Sequence, residues 1–310
     1  MPHDLLRALA IFAAGLAAGT INAVVGSGTL ITFPTLLAFG YPPVLANVSN
    51  NVGLVPGVAS GVHGYRSELG GQRRRLIRLG SASVCGGLVG AILLLTLPQS
   101  AFKDIVPALI GLAVVMVIVQ PRLATWVAER QRARAAPATP AGAGARTDAD
   151  GSGGDADGTG AGANGTGTGA EGAGGGADGA SAVAVAAPPT AAEAIGGPVL
   201  WVLVFLAGIY GGYFGAAQGV LLVGMLGIAL NDSLQRINAA KNVLAGLVNG
   251  LAAVVFILAT HIDWGVAGLI AAGSIIGGQI GARIGKRLSP WGLRVVIVCV
   301  GTAALVKLLA

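Results

Sequence analysis

Two short motifs place amide side chains at helical spacing. They are NVSNNV, which holds Asn47, Asn50 and Asn51, and NAAKNV, which holds Asn238, Lys241 and Asn242. Residues four apart share one face of a helix, so each motif offers two amides on one face. Amides donate and accept hydrogen bonds, and an ammonium group attracts anions. The motifs therefore predict a binding surface for a small polar or anionic ligand.

Lys241 stands where the first motif has Asn50, and two interpretations of it are open. A lysine near the end of a membrane helix can extend its ammonium group to the cytoplasmic surface. Alternatively, Lys241 is the single fixed positive charge near an anion path, because charges inside membranes commonly mark ion pathways. Arg236 lies closer to the loop and is interpreted as a topology charge.

Two glycine-rich segments, GTINAVVGSGTLITFP and GIYGGYFGAAQGVLL, interrupt what would otherwise be membrane helices. Irregular backbone at membrane depth is tolerated only where it lines protein or a water-filled cavity. Helices that begin just after Gly28 and Gly219 would present N–H groups and positive dipole ends to an anion. The alternative is a pair of tightly packed glycine turns. The candidate substrate-binding residues in these segments are Asn22, Gly26, Ser27, Gly28, Thr29, Tyr210, Gly215, Gln218 and Gly219.

Both sets of motifs belong to an internal repeat. The pattern Ser-x-x-Gly-Gly-x-x-Gly-Ala begins at Ser83 and again at Ser274, an offset of 191 residues. Gly26 corresponds to Gly215 at an offset of 189. Further pairs at an offset of 191 are Asn47 with Asn238, Asn51 with Asn242 and Gly28 with Gly219. An internal repeat in a membrane chain is typical of transporters that bind their substrate between the repeats.

The composition predicts an all-α, polytopic membrane protein. Hydrophobic residues make up 54% of the 310 and charged residues 10%, against roughly 25% charged in a soluble domain. The apolar stretches are long and rich in glycine and alanine, which favours spanning helices over barrel strands. We expect about 8–10 membrane segments. The apolar segments are 5–26, 28–40, 45–64, 79–97 and 104–121, then 199–217, 219–230, 239–260, 265–283 and 291–309.

The second segment of each half has only about 12 residues, too few for a full crossing. We therefore expect a half-helix or part of a re-entrant hairpin. Residues 1–121 are predicted to form the first transmembrane repeat and residues 198–310 the second. Residues 122–197 are rich in alanine, glycine and aspartate, which predicts a disordered cytoplasmic linker.

Positive charges predict opposite orientations for the two halves. Arginines cluster at 66–78, after the third segment, and at 122–134, after the fifth, so both regions should be cytoplasmic. In the second half the loop at 261–264 has no Lys or Arg, whereas Arg283, Lys286 and Arg287 follow the fourth segment. Corresponding loops have opposite charge bias, as in two inverted-topology repeats with broken or re-entrant helices.

The segments GTINAVVGSGTLITFPTLLAFGYPPVLANVSNNVGLVPG and GIYGGYFGAAQGVLLVGML, the latter followed by INAAKNVLAGLVN, resemble the two signature regions of the TauE/SafE family of membrane permeases. The resemblance covers nearly all of the chain except the linker. It implies export or uptake of sulfite, sulfoacetate or related sulfur-containing anions, without an ATP-binding domain, along a path lined by the glycine breaks and the asparagine motifs. The chain departs from many relatives in its sparser glycines at 26–28 and 216–219 and in its long linker.

These observations predict a secondary transporter of small anions, sulfite or an organosulfonate, that works by alternating access between two inverted repeats in the plasma membrane. The alternatives are a membrane scaffold that recruits a cytoplasmic partner through the linker, and a small-solute channel. No catalytic motif occurs, so no enzymatic activity, cofactor or metal site is expected. The expected partners are a small anionic substrate and the lipid bilayer. A homo-oligomer is left open, and nucleic acid is not expected.

Overall fold

The computed structural model describes residues 2–135, 197–230, 232–284, 295, 298–302 and 305–306, and these are almost entirely helical. A 3-10 turn at Arg66–Leu69 follows the third helix. The helices with defined bounds are α1 (Pro2–Val24), α2 (Thr29–Ala38), α3 (Pro43–Gly64), α4 (Arg73–Thr96), α5 (Gln99–Ala135), α6 (Pro198–Tyr213), α7 (Gln218–Ala229), α8 (Leu234–Ala259) and α9 (Trp264–Ile284).

Several of these helices are long and apolar enough to cross a membrane. In the described residues they are His3–Val24, Arg73–Thr96, Ser100–Arg122, Leu234–Ala259 and Trp264–Arg283. The described part of the chain contains no β-strand. The protein is therefore a polytopic α-helical membrane protein, and the fold class predicted from composition is confirmed.

α5 continues past the end of the first predicted repeat. It runs to Ala135, so residues 122–135, which the sequence analysis assigns to a disordered linker, are helical. The remainder of that predicted linker, residues 136–196, lies outside the described residues. So does most of the last predicted membrane segment, 291–309, together with Lys286 and Arg287.

α1 and α2 form a re-entrant hairpin. α2 has only 10 residues, about 15 Å of helix, which is half the thickness of the hydrocarbon layer. Its far end returns to the start of α1, where the Arg7 guanidinium lies 4.5 Å from the centre of the Tyr41 ring. The chain therefore leaves the hairpin on the side where it entered.

α6 and α7 form the equivalent hairpin in the second half. Leu200, near the start of α6, shares a buried apolar cluster with Leu226 and Leu230 at the end of α7. α7 has 12 residues, so it is also about half a crossing long. The short second segment of each half is thus the returning arm of a hairpin.

The first helix of each half packs against the fourth helix of the other half: α1 lies along α9, and α6 lies along α4. A Cβ on Gly15 would lie 2.8 Å from the carbonyl oxygen of Ile270, and a Cβ on Gly208 would lie 3.0 Å from that of Ser83. Small residues allow such close approach where lipid gives helices no hydrophobic reason to associate. The repeated Ser-x-x-Gly-Gly-x-x-Gly-Ala pattern is therefore a packing surface for the other half.

α3 and α8, the equivalent third helices of the two halves, run antiparallel to each other. The Asn51 amide donates to the Asn249 side chain at 3.5 Å. Seven residues further along α3, Val58 faces Gly246, which lies earlier in α8 than Asn249. Equivalent helices that run in opposite directions are the arrangement expected of inverted repeats.

Candidate substrate site

The entering helix of each hairpin ends in the same way. Gly26 has φ +87° and Gly215 has φ +78°, conformations that favour glycine. The Gly26 N–H donates to the Ile21 carbonyl at 3.0 Å, and the Gly215 N–H donates to the Tyr210 carbonyl at 3.1 Å. Each bond spans five residues, so both helices end in a wide turn that closes at the glycine. The two breaks therefore align at an offset of 189, Gly26 with Gly215.

The offset of 191, which pairs Gly28 with Gly219, does not describe the breaks. Gly28 precedes α2 as its N-cap residue, whereas Gly219 is the second residue of α7. α2 is two residues shorter than α7, so the offset rises from 189 to 191 only after these helices.

The two hairpin tips touch through bare backbone. The Gly219 N–H donates to the Gly26 carbonyl at 3.1 Å. A Cβ built on either glycine would lie 2.5 Å from the Cα of the other, closer than real Cβ atoms come to their neighbours. We call residues 26–29 and 216–219 the crossing. Both half-helices, α2 and α7, begin at the crossing, so their positive dipole ends meet there.

Polar side chains at the crossing are buried and partly unsatisfied. Ser27 is 0% exposed, Asn50 1% and Gln218 2%. Among the described residues, the Ser27 hydroxyl, the Gln218 Nε2 and the Asn50 Oδ1 have no hydrogen-bond partner. The Asn50 amide reaches the Thr29 hydroxyl at 3.5 Å. An unpaired buried polar group costs about 1–3 kcal/mol, so these atoms could bind a small polar ligand with little competition from protein partners.

Asn249 belongs beside this site, and the sequence analysis missed it. Its side chain accepts from Asn51 at 3.5 Å, and its Oδ1 lies 4.0 Å from where a Cβ on Gly215 would stand. The repeat gave no signal, because the position equivalent to Asn249 holds the apolar Val58. The spacing of seven residues from Asn242, which returns to the same face of a helix, could have found it.

The second asparagine motif holds the end of α1. Asn238 and Asn242 donate to the Ala23 carbonyl at 3.2 and 3.3 Å. The Lys241 ammonium donates to the carbonyls of Asn22 at 3.0 Å and Ala23 at 3.4 Å. The last carbonyls of a helix lack helical partners and carry partial negative charge. The three side chains therefore satisfy a helix end that the break leaves open.

This geometry excludes one of the two interpretations of Lys241, the one that places its ammonium group at the membrane surface. Lys241 is 1% exposed, so its ammonium group does not reach the membrane surface. The Lys241 Nζ therefore lies inside the protein, and its bonds at 3.0 and 3.4 Å are to helix carbonyls. A direct contact between Lys241 and an anion stays a prediction.

The first motif mirrors this arrangement with fewer donors. Asn47 donates to the Tyr213 carbonyl, at the end of α6, at 3.0 Å. Its repeat counterpart Asn238 does the same for α1. In the first motif, however, Asn50 and Asn51 turn to Thr29 and Asn249 instead. Within the described part of the chain, one side chain thus holds the end of α6, whereas three hold the end of α1.

Other predicted site residues stabilise the turns between the two arms of each hairpin. The Asn22 Oδ1 accepts from the Gly28 N–H at 2.8 Å, and the Tyr210 hydroxyl donates to the Ala216 carbonyl. Gly211 stands at the position equivalent to Asn22, and there the Gln218 side chain fills the space that a Cβ would occupy. An amide therefore packs between the two arms of each hairpin, supplied from the first arm in one half and from the second arm in the other.

The structure thus separates the predicted site residues by position. The crossing and its direct neighbours contain Gly26, Ser27, Gly28, Thr29, Asn50, Asn51, Gln218 and Gly219. The helix ends and loops around it are held by Asn22, Asn47, Tyr210, Gly215, Asn238, Lys241 and Asn242. Whether the residues at the crossing bind substrate stays a prediction.

Comparison with known proteins gives a family and one distant relative. The model of the family described as Sulfite exporter TauE/SafE matches residues 11–308. The chain is similar to "Probable membrane transporter protein ORF9" of Sinorhizobium sp, at 28% identity over 100 residues. That alignment covers 32% of this chain and 38% of the relative's length. No solved structure matches the chain.

Proposed function

The chain belongs to the sulfite exporter TauE/SafE family, and from this premise we propose that it is a secondary transporter of small anions, sulfite or an organosulfonate. The family and the similarity to a probable membrane transporter make it a membrane transporter. A transporter family gives no reason to expect catalysis.

The contact between the hairpin tips carries the proposal. Two half-helix N-termini meet at Gly26 and Gly219, and transporters of this architecture point such ends at anionic substrate groups. Ser27 and Gln218, each next to one of those glycines, hold a hydroxyl and an amide without a partner among the described residues. Backbone dipoles together with hydrogen-bond donors suit a small oxyanion better than a cation or an apolar solute.

The burial of the crossing supports alternating access. Ser27 and Gln218 are 0% and 2% exposed, so both side chains are buried in this arrangement. α1 and α3 pack with α9, whereas α6 and α8 pack with α4. Each group mixes helices of both halves, and the two groups meet along α3 and α8. A rocking movement along that contact would open the crossing to one side of the membrane at a time.

The basic residues support an orientation in the plasma membrane. Arg73, Arg75 and Arg78 lie at the start of α4, and Arg283 lies in the last turn of α9. Both positions fall at the same end of the bundle, because α3, α1 and α9 run parallel and α4 starts just after α3 ends. Positive charge favours the cytoplasmic side, so we place this end, and the predicted linker, in the cytoplasm.

Flux measurements on purified protein test the proposal. The full chain in liposomes should move sulfite or a short alkyl sulfonate down an imposed gradient with saturable kinetics. Ser27→Ala and Gln218→Leu should each lower kcat/KM at least about ten-fold, the effect of losing roughly 1.4 kcal/mol of ligand interaction. Ser81→Ala is the control, because it also removes a serine hydroxyl, but one that is exposed on α4 and bonds the Arg78 carbonyl and the Trp201 indole away from the crossing.

Two outcomes would overturn the proposal. Protein that stays folded but moves no sulfur oxyanion under any gradient would remove the substrate class. Flux that rises linearly with substrate concentration, without saturation, would indicate a channel instead of alternating access.

A further inference from the structure

A groove separate from the crossing lies between α4 of the first half and α8 of the second. Its volume is about 410 Å³, and its walls include Leu76, Ile77 and Gly80 of α4 and Leu247 of α8. Ile77 is 64% exposed and Leu247 39%, so the groove opens toward the surroundings of the bundle. Arg73 stands at its rim, at the first residue of α4. The groove is thus apolar along its length and basic at one end.

The start of α4 has more positive charge than its surroundings compensate. Arg73, Arg74, Arg75 and Arg78 fall in its first two turns, and its first turn contains no acidic residue. Positive side chains at a helix N-terminus oppose the helix dipole, typically by 0.3–1 kcal/mol each. An anionic partner near the start of α4 would therefore be favourable.

A carboxylate that contacts this arginine cluster is already shared. Asp232 pairs with Arg75 at 2.7 Å and with Arg236 at 2.6 Å. Glu68, in the preceding 3-10 turn, has an interaction of its own. In the described part of the chain neither of these ion pairs involves Arg73, and Arg73 is exposed. The guanidinium at the rim of the groove is therefore available to an external anion.

We propose that this groove binds one anionic phospholipid, with the phosphate on Arg73 and an acyl chain along Leu76, Ile77 and Leu247. Hydrocarbon fits the walls, a phosphate matches the guanidinium at the end of the span, and basic residues at this level attract anionic lipids. Because α4 and α8 belong to different halves, the bound lipid bridges them beside the Arg75–Asp232 pair. The proposal is independent of the transported substrate.

Lipid binding to the purified full chain tests the site. Native mass spectrometry in detergent, with titration of phosphatidylglycerol and separately of phosphatidylcholine, should show one phosphatidylglycerol retained more tightly. Arg73→Gln should weaken that binding about five-fold, the effect of one basic contact. Arg74→Gln removes the same charge one residue away, outside the groove. It should change the affinity for phosphatidylglycerol by less than about two-fold. Both residues are exposed, so both variants should fold.

A thermal-shift series provides a second readout. Phosphatidylglycerol should raise the melting temperature of the wild type and of Arg74→Gln more than that of Arg73→Gln. Equal losses in the two variants would overturn the site in favour of diffuse attraction. Equal retention of phosphatidylcholine would also overturn it, and so would full stabilisation by inorganic phosphate alone, which would indicate an ion site without a lipid.

Discussion

The two hairpins share one design but are held in different ways. The end of α1 receives donors from Asn238, Lys241 and Asn242, whereas the end of α6 receives one, from Asn47. Each hydrogen bond of this kind contributes about 1 kcal/mol, and charged donors contribute more. The comparison teaches that a repeat can keep its topology while its halves diverge in rigidity. We expect the first hairpin to be the fixed part of the crossing and the second to move.

The largest effect should come from closing the contact that both hairpins share. Gly26→Ala would place a methyl group 2.5 Å from the Gly219 Cα and put alanine at φ +87°. Overpacking and left-handed strain together should destabilise the fold by about 3 kcal/mol and abolish transport. Thermal unfolding in detergent and liposome flux measure the two effects.

Gly40→Ala is the matched control for that variant. Gly40 also has a positive φ of 83°, but a Cβ there would meet nothing within 4 Å. Gly40→Ala should therefore lower the free energy of unfolding only by the backbone strain, about 1 kcal/mol. Equal melting temperatures for the two variants would mean that the contact between the tips contributes nothing.

The next effect should come from removing the charged donor that distinguishes the hairpins. Lys241→Met keeps a long apolar side chain but leaves the Asn22 carbonyl without the ammonium group at 3.0 Å. Amide exchange at residues 21–28 should accelerate about ten-fold, toward the rate at 210–217. Hydrogen–deuterium exchange with mass spectrometry measures both segments in one sample.

Asn47→Ala serves as the reciprocal variant, since it removes the donor on the Tyr213 carbonyl. It should accelerate exchange at 210–217 and leave 21–28 unchanged. If wild-type protein already exchanges equally at both tips, the proposed difference in rigidity is wrong. If Lys241→Met loses flux without any change in exchange, the ammonium group contacts the anion directly.

A smaller effect should come from the base of the second hairpin. Asp232 joins it to the first half through Arg75, whereas the base of the first hairpin is held within its own half by Arg7 and Tyr41. Asp232→Asn should cost about 1 kcal/mol, because the amide can keep one hydrogen bond but loses the charge that Arg75 and Arg236 share. The loss in melting temperature should change little with salt, because the Arg75 and Asp232 side chains are only 15% and 13% exposed; an unchanged melting temperature would contradict an electrostatic role.

The smallest effect should come from making the halves more alike. Asn249→Val places at that position the residue type of its counterpart, Val58, and removes the 3.5 Å bond with Asn51. We expect a change below about 1 kcal/mol in stability and a few-fold loss of flux. A double-mutant cycle with Asn51→Val separates their coupling, and a coupling of zero would remove Asn249 from the site.

Periodicity, glycine content and the repeat predict much of this fold. They indicate a helical membrane protein and place breaks near Gly26 and Gly215, and the charge bias of corresponding loops predicts opposite orientations for the two halves. The change of offset from 189 to 191 could also have been assigned in sequence, because it marks a two-residue difference in length between α2 and α7. The extension of α5 to Ala135 was missed because residues 122–135 were grouped with the glycine-rich residues that follow. Their alanine and arginine content favours a helix.

The partners of the polar residues could not be predicted. Helical spacing puts Asn238 and Asn242 on one face, but only the position of α1 shows that this face meets the Ala23 carbonyl. For the same reason Lys241 could not be assigned to the surface or the interior from its neighbours in sequence. A helix end from the other half of the chain determines what each amide does.

The exchange of first helices between the halves has a consequence for biosynthesis. α1 is made before the other described helices, yet the surface that covers it belongs to α9, which begins at Trp264. Until translation has passed that residue, the glycine face of α1, which packs on Ile270 and Ser274, has no lasting partner. The nascent first half must therefore wait in the bilayer as an incomplete intermediate, the stage at which chaperones and proteases act on multi-span proteins. A chain truncated before α9 should therefore be degraded, even though its first half is intact.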